Sequence, residues 1–221
     1  MKTRKRVLYV LMFLPLVATL IALPFLPEQI PAHYGFDGQV TRYGSKYESL
    51  IIPAITLAFG AAMLFEAKIA VKKEKDGENN EKVSITTAIA AVVLFNVLTG
   101  FFLYTAFAQT EDIYNISLDV YQIVFMVFGA GMIVIGNIMP KLRMNGLIGL
   151  RTGWSMKNET TWKKSQRFGG IAAIVTGVVT IIICCFTRGL LCAGLAVCIQ
   201  IIALPVEIYY TYRAAKKYGD A

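Results

Sequence analysis

Val7 to Leu26 is a run of twenty residues without a charge. As a helix it would be ~30 Å long, enough to cross the hydrocarbon core of a bilayer. The pattern recurs, with apolar segments near 7–26, 50–71, 85–109, 117–139, 168–186 and 190–212. Backbone groups in lipid must bond internally, so each segment is expected as a helix. Composition agrees: 56% of the 221 residues are hydrophobic and 16% are charged, against about 25% charged in soluble domains. The opening MKTRKR resembles the basic start of a signal peptide, but no small-residue cleavage site follows the apolar run. The first segment is therefore read as a retained helix.

The net charge of +8 is distributed by topology, not gathered for nucleic acid. With a cytoplasmic N-terminus, nineteen of the 22 Lys and Arg fall in the inner segments, and only Arg42, Lys46 and Arg188 fall outside. That is a strong positive-inside bias, and it suits anionic lipid at the inner leaflet. The expected fold is an all-α polytopic membrane protein with six transmembrane helices and both termini cytoplasmic. Three units are expected: a helix pair with a folded extracellular loop (1–71, loop 27–49), a solvated cytoplasmic linker (72–84), and a four-helix region (85–221).

Smaller signals refine this picture. TEDIYNIS lacks Lys and Arg and reads as a short outer turn, and Thr187–Arg188–Gly189 makes helices five and six antiparallel neighbours. Ala54, Ala58 and Ala62, and Gly169, Ala173 and Gly177, form small-residue stripes expected to pack within the bundle. Pro15, Pro24, Pro53 and Pro205 lie in or beside spans, each freeing a carbonyl. Cys184, Cys185, Cys192 and Cys198 show no metal-binding spacing. They read as buried inert thiols, with a Cys185–Cys192 bridge across the outer turn as the alternative.

Two polar stretches are too long for plain connectors. The inner one, 137–170, is NIMPKLRMNGLIGLRTGWSMKNETTWKKSQRFGG. Pro140 should end helix four, and Asn158 is a candidate N-cap for a helix leading into span five. Trp154 and Trp162 are expected in an interfacial aromatic belt, with Lys163, Lys164 and Arg167 against lipid phosphates. The segment resembles the signature of the SdpI family of bacterial membrane proteins. Asn137, Pro140, Lys141, Asn145, Gly149, Arg151, Thr152, Trp154, Trp162, Lys163, Arg167 and Gly170 fit that pattern. Gly153 stands where the family usually has Pro, and Gln166 where His is common. The outer stretch LPEQIPAHYGFDGQVTRYGSK is similar to a small uncharacterised domain that commonly precedes this signature, through Pro27, Ile30, Pro31, His33, Tyr34, Gly38 and Gly44 to Lys46.

The resemblance implies an immunity protein of the bacterial plasma membrane. The family's named member protects a sporulating Gram-positive cell from its own secreted peptide toxin and holds a transcriptional repressor at the membrane. It implies toxin contact by the outer loop, at His33, Tyr34, Phe36, Asp37, Tyr43 and Lys46. It implies partner contact by Asn137, Pro140, Asn145, Gly149, Arg151, Thr152, Trp154, Trp162 and Arg167.

The residues alone leave rivals open. Glu207, Asn96, Gln122, Asn137 and Gln200 are polar groups within spans, where polarity is costly. Glu207 could pair with Arg151 or Arg213, or could line the path of a small transporter or channel. The outer loop could serve a membrane enzyme through His33 or Asp37. A lone His lacks the partners for a zinc site, and no hydrolase, P-loop or dinucleotide motif is present. The reading is therefore a non-enzymatic protein without metal or cofactor. Its oligomeric state is not encoded in any visible pattern.

Overall fold

The computed structural model describes residues 1–73, 77–117 and 119–219. Among them are six helices long and apolar enough to cross a membrane: α1 (Lys2–Ala22), α2 (Ile51–Lys73), α3 (Gly77–Ala108), α4 (Val120–Ile138), α5 (Glu159–Phe186) and α6 (Gly189–Tyr218). α1 and α2 pack on α3, α5 packs on both α4 and α6, and α3 meets α4.

The bundle is built inside out relative to a soluble protein. Large apolar side chains such as Val10, Ile21, Phe65, Leu191 and Ile202 face outward. A soluble surface would not carry such a belt. The interior is rich in small and hydroxylated residues, among them Thr19, Thr56, Thr99, Thr180, Ala88 and Ala196. Thr56 and Thr99 return their hydroxyls to the carbonyls of Ile52 and Phe95, at 2.8 and 2.9 Å. Small residues permit close backbone approach, which drives association where lipid removes the hydrophobic effect.

The α4–α5 contact uses this most directly. A Cβ on Gly136 would lie 2.5 Å from the Gly170 carbonyl oxygen, and one on Gly129 would lie 2.7 Å from that of Gly177. The stripe that packs is Gly170, Ala173 and Gly177, with Gly169 turned to Met139 and Leu150. The expected Ala54–Ala58–Ala62 stripe instead faces out of the bundle, and Gly60 of α2 receives Met12 of α1. Apolar residues cover all sides of α2, so sequence alone could not set its rotation.

The loops between helices fall at two ends. One end holds a β-hairpin, β1 (Gln29–Tyr34) and β2 (Val40–Ser45), antiparallel, with pairing shifts on both sides of His33. This small sheet is an addition to the all-α expectation. The other end gathers the N-terminus, the start of α3, residues 139–158 and the end of α6. Of the linker expected over 72–84, residues 74–76 lie outside the described residues, and α3 already begins at Gly77. At 32 residues α3 is ~48 Å long, so its first turns extend past the apolar core and find protein partners. Asn80, Glu81 and Ser84 are buried. Glu81 pairs with Lys5 at 2.6 Å, and Arg4 donates to the Thr86 hydroxyl at 2.9 Å.

Candidate functional site

At the hairpin end, Gly38 adopts φ +82° and closes the tip, where Gly35 N–H donates to Gln39 O at 2.8 Å. Residues 110–117, expected as a simple turn, dock on this tip. Val40 N–H donates to Glu111 O at 2.9 Å and Ile113 N–H to Gly38 O at 3.0 Å. Tyr34 donates its hydroxyl to Thr110 O at 2.9 Å, and Tyr114 donates to Phe36 O at 3.0 Å. Partial burial pushes the Tyr34 hydroxyl above its ordinary pKa. The hairpin root packs Leu26 and Ile30 on Ala106 of α3. The hairpin is therefore a fixed platform.

Its charges are mostly spent internally. Arg42 donates to both Glu48 oxygens, at 3.0 and 2.8 Å, and Lys46 to Glu28 at 2.8 Å. Arg42 holds the Glu48 carboxyl below the usual carboxylate range. His33 is exposed, with Nδ1 2.6 Å from the Thr41 hydroxyl, and Asp37 accepts from Gln39 N–H within the tip. Phe36 is 87% exposed, and Tyr43 and Tyr47 also face out. A groove of about 450 Å³ runs from Phe36 past Tyr114 and Ile116 to Arg188 and Leu190. Of the six outer-loop candidates, only Phe36 lines it. Tyr34 and Lys46 bond within the fold, His33 meets Thr41 across the two strands, and Asp37 bonds within the tip.

At the opposite end, the segment after α4 folds around buried amides. Asn145 Oδ1 accepts from Leu147 N–H and Ile148 N–H, both at 2.8 Å, and Nδ2 donates to Arg143 O. Gly149 adopts φ +109°. Gln166, fully buried on α5, accepts from Leu150 N–H at 2.9 Å and donates to Leu150 O at 3.0 Å. Ser155 accepts from Thr152 N–H and donates to Leu150 O, while Thr152 donates to Thr211 of α6 at 2.9 Å. Asn158 forms a capping box with Thr161, and its Nδ2 donates to Tyr218 O at 2.8 Å, so one side chain closes two helices. Trp162 is 1% exposed and donates to Leu142 O at 2.9 Å. The belt expected for it is thus corrected: the indole is core, because it fills the space among Val83, Leu142, Ile148 and Met156.

The candidates therefore divide. Asn145, Gly149, Thr152 and Trp162 build the segment. Arg151, Arg167, Trp154, Pro140 and Asn137 are exposed. Trp154 sets its edge on Tyr212, with ring centroids 5.5 Å apart. Gln166, Ser155 and Asn80, which accepts from Arg143 N–H at 3.0 Å, were not among the candidates. The partners of Gln166 and Asn80 lie too far along the chain for spacing to reveal, whereas Ser155 bonds locally, to Thr152 and Leu150. A basic groove of about 750 Å³ lies beside the segment, lined by Tyr209, Tyr210, Tyr212, Arg213, Lys216 and Lys217. Glu207 is partly exposed one helical turn above, and Arg213 donates to the Tyr209 hydroxyl instead of pairing with it. Asn96 and Gln122 tie helices together, while Gln200 reaches Thr180 at 3.5 Å.

Residues 141–211, which contain this segment and the helices that hold it, match the SdpI/YfhL protein family. Over these residues the chain is similar to that family. Residues 10–57, spanning most of α1, the hairpin and the start of α2, match a domain of unknown function, DUF1648. The chain is 24% identical over 208 residues to the immunity protein SdpI of Bacillus subtilis (strain 168), with 94% of each chain covered. No solved structure matches. The match to the SdpI/YfhL family begins at Lys141, where α4 has ended, and the buried amides Asn145 and Gln166 and the half-buried Asn158 all lie inside it.

Proposed function

We propose that this chain is a bacterial plasma-membrane immunity protein, acting without catalysis, with both termini in the cytoplasm. The hairpin end would then face outward and meet a secreted membrane-active peptide. The observation that carries the reading is the similarity to an immunity protein over 94% of both chains. Charge supports the orientation: nineteen of the 22 basic residues fall in the segments assigned to the cytoplasm, and only Arg42, Lys46 and Arg188 in those assigned outside.

The hairpin end has the chemistry for an apolar peptide. Phe36 projects from a rigid tip, and rigid aromatics contribute contact area at low entropic cost. The exposed cations Arg151, Arg167, Arg213, Lys216 and Lys217 suit a cytoplasmic partner with an acidic surface, such as a repressor held at the membrane. α4 links the two ends. Asp119 and Gln122 at its start grip the α5–α6 turn, and its far end leads into the signature segment.

Expression in a toxin-sensitive cell tests this directly. Survival should rise with the intact chain. Phe36→Ser, at equal membrane abundance, should lower the protective toxin ceiling by about tenfold, the loss of one buried aromatic anchor. The double variant Arg151→Ala, Arg167→Ala should keep protection and lose retention of the cytoplasmic partner. Survival equal to an empty vector would sink the immunity reading.

A further inference from the structure

α5 and α6 are joined by only Thr187 and Arg188, and Gly189 opens α6 at φ +57°. So short a turn sets the two helices in a definite register at the hairpin end. Cys184 lies two residues before the end of α5, and Cys192 three residues after the start of α6, so the two sit at equal depth. Their Sγ atoms are 3.0 Å apart and both side chains are fully buried. Cys185 and Cys198 are exposed and point elsewhere. The turn is clamped from α4: Asp119 accepts from Gly189 N–H at 2.6 Å, and Gln122 donates to Cys184 O and Thr187 O at 2.8 Å each.

We propose that Cys184 and Cys192 are joined by a disulfide in the mature protein. The inference rests on the orientation proposed above, which sets both residues about one helical turn below the outer surface, next to the oxidising compartment where disulfides persist. The oxidant is a disulfide of that compartment, carried by an oxidoreductase or a small thiol. One cysteine thiolate attacks a sulfur of this disulfide, forming a mixed disulfide and releasing one thiol. The second thiolate then attacks the protein sulfur, closing the Cys184–Cys192 bond and releasing the other oxidant sulfur as a thiol. Two electrons and two protons pass to the oxidant. Because both thiols are buried in the finished bundle, the exchange precedes closure of the α5–α6 hairpin. The bond makes the turn beside the Phe36 groove a covalent brace.

Protein extracted from cells in excess N-ethylmaleimide and then denatured should carry two adducts, and four if reduced first. Peptide mapping should assign the reducible pair to 184 and 192. Cys184→Ser should leave three thiols that all react without reductant, whereas Cys185→Ser should leave one. Four adducts before reduction, or a bond mapped to Cys185 or Cys198, overturns the proposal. Orientation is read separately, by labelling Phe36→Cys in intact cells with a membrane-impermeant maleimide. Labelled Phe36→Cys together with four free thiols in the unsubstituted chain would remove the disulfide and leave the orientation standing.

Discussion

Pro15 lies inside α1 and has no N–H to give the carbonyl of Leu11. Asn96 of α3 supplies the missing donor: its Nδ2 reaches Leu11 O at 2.9 Å and Val92 O at 2.8 Å. One proline and one amide thus tie two helices together in lipid. Asn96→Ala should lower stability in detergent by about 1 kcal/mol, measured as the loss of helical signal on heating. Gln166 is a more demanding case. Its amide meets both backbone groups of Leu150, at a position where the family pattern commonly has His. Gln166→Leu should cost about 2–4 kcal/mol by leaving two buried groups unpaired. It should also expose residues 142–158 to protease. That role was illegible in sequence, because no periodicity connects positions sixteen residues apart across a loop.

At the scale of elements, the α4–α5 crossing depends on two glycine pairs. Gly136→Val should set a side chain against the Gly170 carbonyl and destabilise the bundle by about 1–3 kcal/mol. The same change at Gly100, which has open space around it, should be tolerated better; thermal unfolding of both variants decides. In the hairpin, Arg42 lowers the Glu48 pKa. A carboxyl whose folded pKa is depressed contributes stability above its unfolded value and loses it as pH falls through the folded one. Protection factors of the β1–β2 amides should therefore stay level from neutral pH to about 5 and fall below about pH 4. Glu48→Gln should flatten that acid limb. Gly38 sits at the hairpin tip as a turn glycine, whereas Gly44 lies inside β2, paired with Ile30. The strand pairing and the docking of residues 110–114 on the hairpin needed contacts some 75 residues apart.

At the scale of the whole molecule, charge asymmetry makes a prediction of its own. Phe36→Cys should react with impermeant maleimide in intact cells, and Lys157→Cys only after permeabilisation. The reverse pattern would invert the orientation and the function built on it. α3 starts eight residues before its apolar run, whereas span number, the Pro15 and Pro205 interruptions, the Asn158 cap and the segregation of basic residues were legible in the sequence alone. Each is a local property or a sum along the chain, and the bilayer reads such sums directly. Tertiary structure alone decided which face of each helix turns inward, which amide meets which carbonyl, and that Cys184, not Cys185, faces Cys192. The reason is physical. Helices that are apolar all round carry no polar stripe to mark their inner face, so small residues and hydrogen bonds set the rotation only once a neighbouring helix is in place.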